Sequence, residues 1–261
     1  MLQVFRNIAV KKYIKETDLS VFTVSKTEKI SPSIQRVFFW CEDLNRFDTE
    51  SFHVRLILPR KTDSAASWLQ TIHTKTFRIE KNKFEQRVYT IRGVNKQTKE
   101  FYIDFVTHLS SRYCPGSDWA ISCKPNFKVG LIGPNGTDFQ KADYYILLGD
   151  ETALPCIARQ LEHMHLKSSG EVYIEVNQKE DIQDLKYPKG VSINWIFRNN
   201  KPAQESNLLL EVLDDIQPKN DINEVYFWFA GEKSIRKKIQ SHIKKPSFDH
   251  VTKKLYTYWK A

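Results

Sequence analysis

The sequence predicts a β-barrel followed by an α/β layer: an N-terminal antiparallel barrel over residues 17–140, then a parallel α/β domain over residues 141–261. Three observations predict this. Short runs rich in Val, Ile, Phe and Tyr fill the first half with no helical pattern between them. Beyond about residue 141, strand patterns alternate with helical ones. At the junction, Tyr144-Tyr145-Ile146-Leu147-Leu148 is a continuous apolar run, as a strand covered on both faces requires.

In chain order, strands are expected over residues 21–30, 34–41, 53–58, 87–92 and 101–108. In the last of these, period two sets Asp104 opposite Phe101, Ile103 and Phe105. Residues 61–86, which include Trp68, have no clean period and read as an excursion on the barrel surface. After the strand at 144–148, a helix begins at Thr152, with Leu154, Ile157, Ala158, Leu161 and His165 at helical spacing. Thr152 is the expected N-cap, and Pro155 is tolerated because it lies in the first turn. Strands at 172–176 and 191–197, a helix at 205–215, a strand at 224–230 and a helix at 233–243 complete the series. Ligands of such sheets lie outside the carboxyl ends of the strands. The turns Gly149-Asp150-Glu151-Thr152 and Ala230-Gly231-Glu232 should therefore face one crevice, toward the barrel.

Composition excludes several classes. The 261 residues, 41% hydrophobic and 27% charged, describe a globular protein rather than a disordered one. No apolar run approaches the ~20 residues of a membrane span, and the first residues lack a secretory pattern, so a cytoplasmic monomer with no membrane partner is expected. Forty Lys and Arg against 31 Asp and Glu give +9, which favours anionic partners. The lysines are scattered in doublets rather than blocks, so no nucleic-acid partner is expected. Cys41, Cys114, Cys123 and Cys156 contain no C-x-x-C pair and read as buried thiols. His163 and His165, two apart on a helix, do not share a face, so no metal site is expected there. No G-x-S-x-G, H-E-x-x-H or Walker-type sequence is present.

The chemistry concentrates in Arg87-Val88-Tyr89-Thr90-Ile91-Arg92. An aromatic plane, a hydroxyl and a guanidinium on adjacent positions suit a large planar ligand that carries phosphate, although the segment taken alone reads more readily as a surface strand with paired arginines. His108 ends the next strand, and Cys114-Pro115-Gly116-Ser117-Asp118-Trp119-Ala120 reads as a turn opening a short helix capped by Ser117. A helix start is an anion site, so strand, histidine and helix together form a candidate diphosphate cradle.

These segments, with His53-Val54-Arg55-Leu56, Gly149-Asp150-Glu151-Thr152-Ala153-Leu154-Pro155, Trp228-Phe229-Ala230-Gly231-Glu232 and Tyr258-Trp259-Lys260, resemble the siderophore-interacting proteins. These are flavin-dependent ferric-siderophore reductases related to the ferredoxin–NADP reductase superfamily. The resemblance implies that the barrel binds FAD. Arg87, Tyr89 and Thr90 would hold the isoalloxazine and phosphates, Val106 and His108 the ribityl and diphosphate region. Ser117, Trp119 and Ala120 would hold the diphosphate through the helix start, while Thr152 and Ala153 approach the flavin from the second domain. The family pattern is broken at two places: Leu109-Ser110-Ser111-Arg112-Tyr113 stands where a glycine usually follows the histidine, and Thr257 replaces a usual glycine.

The implied substrate is a ferric siderophore, whose Fe(III) is released on reduction to Fe(II). Arg55 matches a basic position of the family and is the first candidate for the basic substrate pocket, with Arg112, Lys254 and Lys260 as further candidates. The donor is open between NAD(P)H and a reduced carrier protein such as ferredoxin or flavodoxin, because Asp150 and Glu151 would repel a dinucleotide diphosphate at the turn. The branch of the superfamily with a C-terminal iron–sulfur cluster is excluded, since no cysteine follows Cys156. A general flavin reductase with another acceptor and a non-catalytic anion-binding module stand as alternatives.

Overall fold

The computed structural model describes residues 19–60, 68, 84–107, 113–136, 139–219 and 221–261. Six strands close into an antiparallel barrel in the order β1-β2-β5-β4-β3-β6. They are β1 Leu19–Ser31, β2 Ile34–Trp40, β3 His53–Leu58, β4 Glu85–Asn95, β5 Glu100–Val106 and β6 Lys128–Asn135. Inward side chains alternate as period two demands, and Val24, Val37, Phe39, Leu56, Ile91, Phe101, Ile103, Phe105 and Leu131 fill the interior. Asp104 does fall on the other face, yet it is buried there because the Arg36 guanidinium meets it with two bonds of 2.6 and 2.8 Å.

One short helix, α1 Pro115–Ser122, follows β5 in the chain and packs on the barrel against β2, β3 and β5. The excursion predicted at 61–86 falls largely outside the described residues. Trp68 is described, buried with Ile57 and Phe84 and donating its Nε1–H to the Lys128 carbonyl at 2.7 Å.

The second half is a five-stranded parallel sheet in the order β11-β10-β7-β8-β9. Its strands are β7 Tyr144–Asp150, β8 Ser169–Val176, β9 Gly190–Phe197, β10 Val225–Glu232 and β11 Thr252–Trp259. Helix α2 Leu154–His163 covers the barrel-facing side, and α3 Leu208–Glu211 and α4 Lys233–His242 cover the other. Every residue of β7 and β10 is buried, which is the reason both read as unbroken apolar runs.

Two helix expectations need correction. The helix expected at 205–215 is broken into a 3-10 turn Ala203–Glu205, α3, and a 3-10 turn Val212–Asp214. The Ser206 hydroxyl accepts from the Leu208 amide at 3.3 Å, so a local turn competes with the helix at its start. Asp214 and Asp215 then set negative charge at its carboxyl end, where the helix dipole disfavours it. Thr152 does not cap α2 either: Ala153 holds the cap position, and Thr152 turns back onto Asp150.

The halves are tied side by side. Arg92 of β4 meets Glu162 of α2 at 2.8 Å, and Arg159 Nη2 donates to the Thr49 carbonyl at 3.2 Å. His163 Nδ1 donates to the Arg159 carbonyl at 2.8 Å, and its ring packs near Phe52 and Phe139. The four cysteines form no disulfide; Cys41 and Cys156 are buried as expected, while Cys114 and Cys123 are only half-buried. Among the described residues no group of His, Cys, Asp and Glu could hold a metal ion, and no helix is long and apolar enough to cross a membrane.

Candidate functional site

On β4 the register with β3 sets Tyr89 opposite Val54, Thr90 opposite His53, and Val88 opposite Arg55. Tyr89 lays its ring on Phe105, with centroids 4.4 Å apart, and points its hydroxyl at the start of α1. A Cβ at Gly116 would stand 1.6 Å from Tyr89 Oη, so only glycine leaves room for the ring there. Burial pushes the Tyr89 pKa up, which keeps the phenol protonated and available as a donor. Thr90 is buried beside it, and Arg87 is exposed, its guanidinium within 3.1 Å of Glu85 and 2.8 Å of the Gln86 carbonyl.

The start of α1 differs in detail from the expectation. Cys114, not Ser117, is the N-cap; the Asp118 carboxylate accepts from the Cys114 amide at 3.1 Å, and Ser117 is buried inside the first turn. Trp119 and Ala120 are buried in the barrel core, Trp119 between Phe39 and Phe105, so these two can offer a ligand their backbone rather than their side chains. Val106 ends β5 half-buried. His108 and Arg112 lie outside the described residues.

A bare glycine in a helix start, a protonated phenol against it, a buried hydroxyl and an exposed arginine on the same strand make a donor set for a planar ring and a diphosphate. These residues fit FAD. Arg87 and the amides of the first turn of α1 would hold the phosphates, and Tyr89 and Thr90 the ring.

At the carboxyl end of the sheet, Asp150 organises the facing turn. Its Oδ1 accepts from the Thr152 amide at 2.9 Å and from the Thr152 hydroxyl, and its Oδ2 accepts from Trp259 Nε1 at 2.7 Å. Burial, reinforced by Glu151, pushes the Asp150 pKa up to about 7. Glu151 is bound through both oxygens by Arg198, which also reaches Glu175 at 3.2 Å. Glu232 caps α4 through the Ser234 and Ile235 amides; burial opposes its ionisation, but these bonds prevail and hold its pKa down. Ala153, predicted to approach the flavin, joins the apolar cluster that contains Ile91, Phe105 and Trp119, with Tyr89 packed against it. The sequence reading missed Arg198 and Glu175. Their only signal was charge at strand ends, Arg198 immediately after β9 and Glu175 one residue before the end of β8.

The basic candidates separate by position. Arg55 is half-buried, with Nη1 3.5 Å from Gln86 Oε1, beside a Val88 side chain that is 61% exposed. Lys260 follows Trp259 at the crevice end of the sheet. Lys254 sits in mid-strand opposite Trp228, five residues before Trp259. At the rise of an extended chain this is about 16 Å from the strand end, so the fold does not bring Lys254 to the crevice.

Residues 23–138 match the family described as Siderophore-interacting FAD-binding domain, and residues 142–261 match that described as Siderophore-interacting protein. The ferric vibriobactin reductase of Vibrio cholerae is 31% identical over 209 residues, which are 78% of this chain and 74% of that protein. The chain belongs to the siderophore-interacting protein family. Its barrel is that family's FAD-binding domain. Among solved structures, a siderophore utilization protein from T. fusca superposes with a TM-score of 0.76 at 27% identity, covering 93% of this chain and 92% of that one. The NADPH-dependent ferric-chelate reductase of Escherichia coli is 23% identical over 248 residues, 92% of each protein. This siderophore-interacting protein thus shares its two-part architecture and its flavin-binding barrel with iron-chelate reductases.

Proposed function

We propose that this protein is an FAD-dependent ferric-siderophore reductase, which releases iron by reducing chelated Fe(III) to Fe(II). The observation that carries the reading is the contact of Tyr89 with the glycine start of α1, within a barrel of the siderophore-interacting FAD-binding type. Bound FAD supplies the electron relay between donor and iron. The chain's own residues hold and shield it: Arg87 and the start of α1 for phosphate, Tyr89 and Thr90 for the ring, and Val106, Ser117, Thr152 and Ala153 as flanking contacts. The barrel, 17–140, is the flavin domain and 141–261 the reductase domain.

The substrate is an anionic iron chelate that needs a basic rim rather than protein ligands to the metal. Arg55 is the principal rim residue, supported by its place next to exposed Val88 on the strand adjoining Tyr89. Lys260, beside Trp259, is a further rim residue. The donor is NAD(P)H. Arg198 neutralises Glu151, and the raised pKa of Asp150 removes charge from the same turn, so the repulsion foreseen from two neighbouring carboxylates is largely cancelled. The protein acts as a cytoplasmic monomer.

Anaerobic stopped-flow absorbance tests the reading. The protein reduced by dithionite is mixed with ferric catecholate and hydroxamate chelates in the presence of a ferrous trap. Flavin reoxidation with stoichiometric Fe(II) capture is expected; reduced flavin that ignores every iron chelate would overturn the assignment. Arg55→Glu should slow chelate reduction while FAD stays bound, and unchanged chelate kinetics would remove Arg55 from the pocket. Bleaching of the oxidised flavin by NADH or NADPH supports the donor, whereas bleaching only by reduced ferredoxin or flavodoxin would replace it with a carrier protein.

A further inference from the structure

Asp181 ends the 3-10 turn Lys179–Asp181 that follows β8, and it is 1% exposed. Three of its four bonding partners come from the barrel. Oδ1 accepts from the Ser31 hydroxyl at 2.7 Å and the Ser33 amide at 2.8 Å; Oδ2 accepts from the Ser33 hydroxyl at 2.9 Å and the Gln178 amide at 3.3 Å. A carboxylate this deeply buried needs all of these donors to offset its lost hydration. The three barrel donors belong to Ser31 and Ser33, at the turn that joins β1 to β2.

That turn is the neighbour of the flavin cradle. The Ser33 carbonyl accepts from the Thr107 amide at 2.8 Å, Ile34 pairs with Val106, and Lys29 Nζ donates to the Thr107 hydroxyl at 2.8 Å. Two hydrogen bonds through Ser33 therefore connect Asp181 of the reductase half to the backbone of Thr107, one residue past Val106 at the end of β5.

We infer that Asp181 is a positioning residue for the flavin: the α/β half, through this one carboxylate, fixes the end of β5 on which Val106 borders the cofactor. The inference rests on the FAD reading of the barrel. It makes flavin retention a property of both halves rather than of the barrel alone. The Arg92–Glu162 and Arg159–Thr49 contacts tie the halves independently, so loss of Asp181 should loosen the cradle without separating them.

The test uses the full-length protein, flavin fluorescence titration for the FAD Kd, and thermal midpoints with and without FAD. Asp181→Ala should raise the Kd roughly tenfold or more, the loss expected when hydrogen bonds to a charged group disappear. Asp181→Asn, which keeps Oδ1 for Ser31 and the Ser33 amide, should recover most of the affinity. The gap between the FAD-bound and FAD-free midpoints should narrow in Asp181→Ala. A purely structural pin would lower both midpoints together and leave the gap unchanged, and that result would overturn the inference. Should Asp181→Ala fail to fold, Ser33→Ala removes only one bond to the same carboxylate, and an unaltered Kd there would overturn it equally. A wild-type chain that binds no flavin would refute the FAD reading instead.

Discussion

At the scale of single residues, the proposed flavin cradle turns on one position without a side chain. Gly116→Ala would drive a methyl group into Tyr89 Oη, and the ring has to leave Phe105 or the helix start has to shift. FAD affinity should fall by roughly tenfold, read by flavin fluorescence, with far-UV circular dichroism unchanged. Tyr89, Thr90 and Arg87 entered the candidate site from the sequence because their residue types and alternation carry their chemistry openly. Gly116 was legible only as part of a turn, since its constraint comes from a ring 27 positions earlier in the chain. Arg198 was not legible at all. A guanidinium that neutralises Glu151 and Glu175 across three strands looks, in sequence, like any surface arginine.

At the scale of elements, the turn after β7 stores a titration. The Asp150 pKa is about 7 in the folded chain, against an ordinary carboxyl value near ~4 when unfolded. Between those two values the folded state holds a proton that the unfolded state has lost, so stability falls as pH rises from about 4 to about 7 and levels off above. Urea unfolding of the wild type and Asp150→Asn across that range should show their difference declining on the order of 1 kcal/mol per pH unit, and a flat difference would assign the strain elsewhere. Most elements were visible in advance because strong periodicity marks them, β3 being predicted at its observed bounds of His53–Leu58. Strands β6 and β11 were not. In β6, Gly130, Gly133 and Pro134 look like breakers, whereas Gly130 is there because Ile57 and Leu19 crowd its Cβ position at 3.1 Å. In β11 the pair Lys253-Lys254 hides the strand behind its charge.

At the scale of the whole molecule, a closed barrel and an open sheet meet along β4 and α2. Both architectures and their order could be read from the change of pattern near residue 141. The ties between them could not, because Arg92, Glu162, Ser31, Ser33 and Asp181 are ordinary polar residues until the fold brings them together. The barrel closes on itself and offers no edge, but the sheet ends in two edge strands, β9 and β11, and on β11 Arg236 Nε donates to the Leu255 carbonyl at 3.3 Å. An uncovered strand recruits the same strand of another molecule unless charge repels it. Lys253 and Lys254 stand on this edge strand, where their charge disfavours such pairing. Replacing both with threonine should leave flavin content intact and turn a monodisperse solution into one that scatters light.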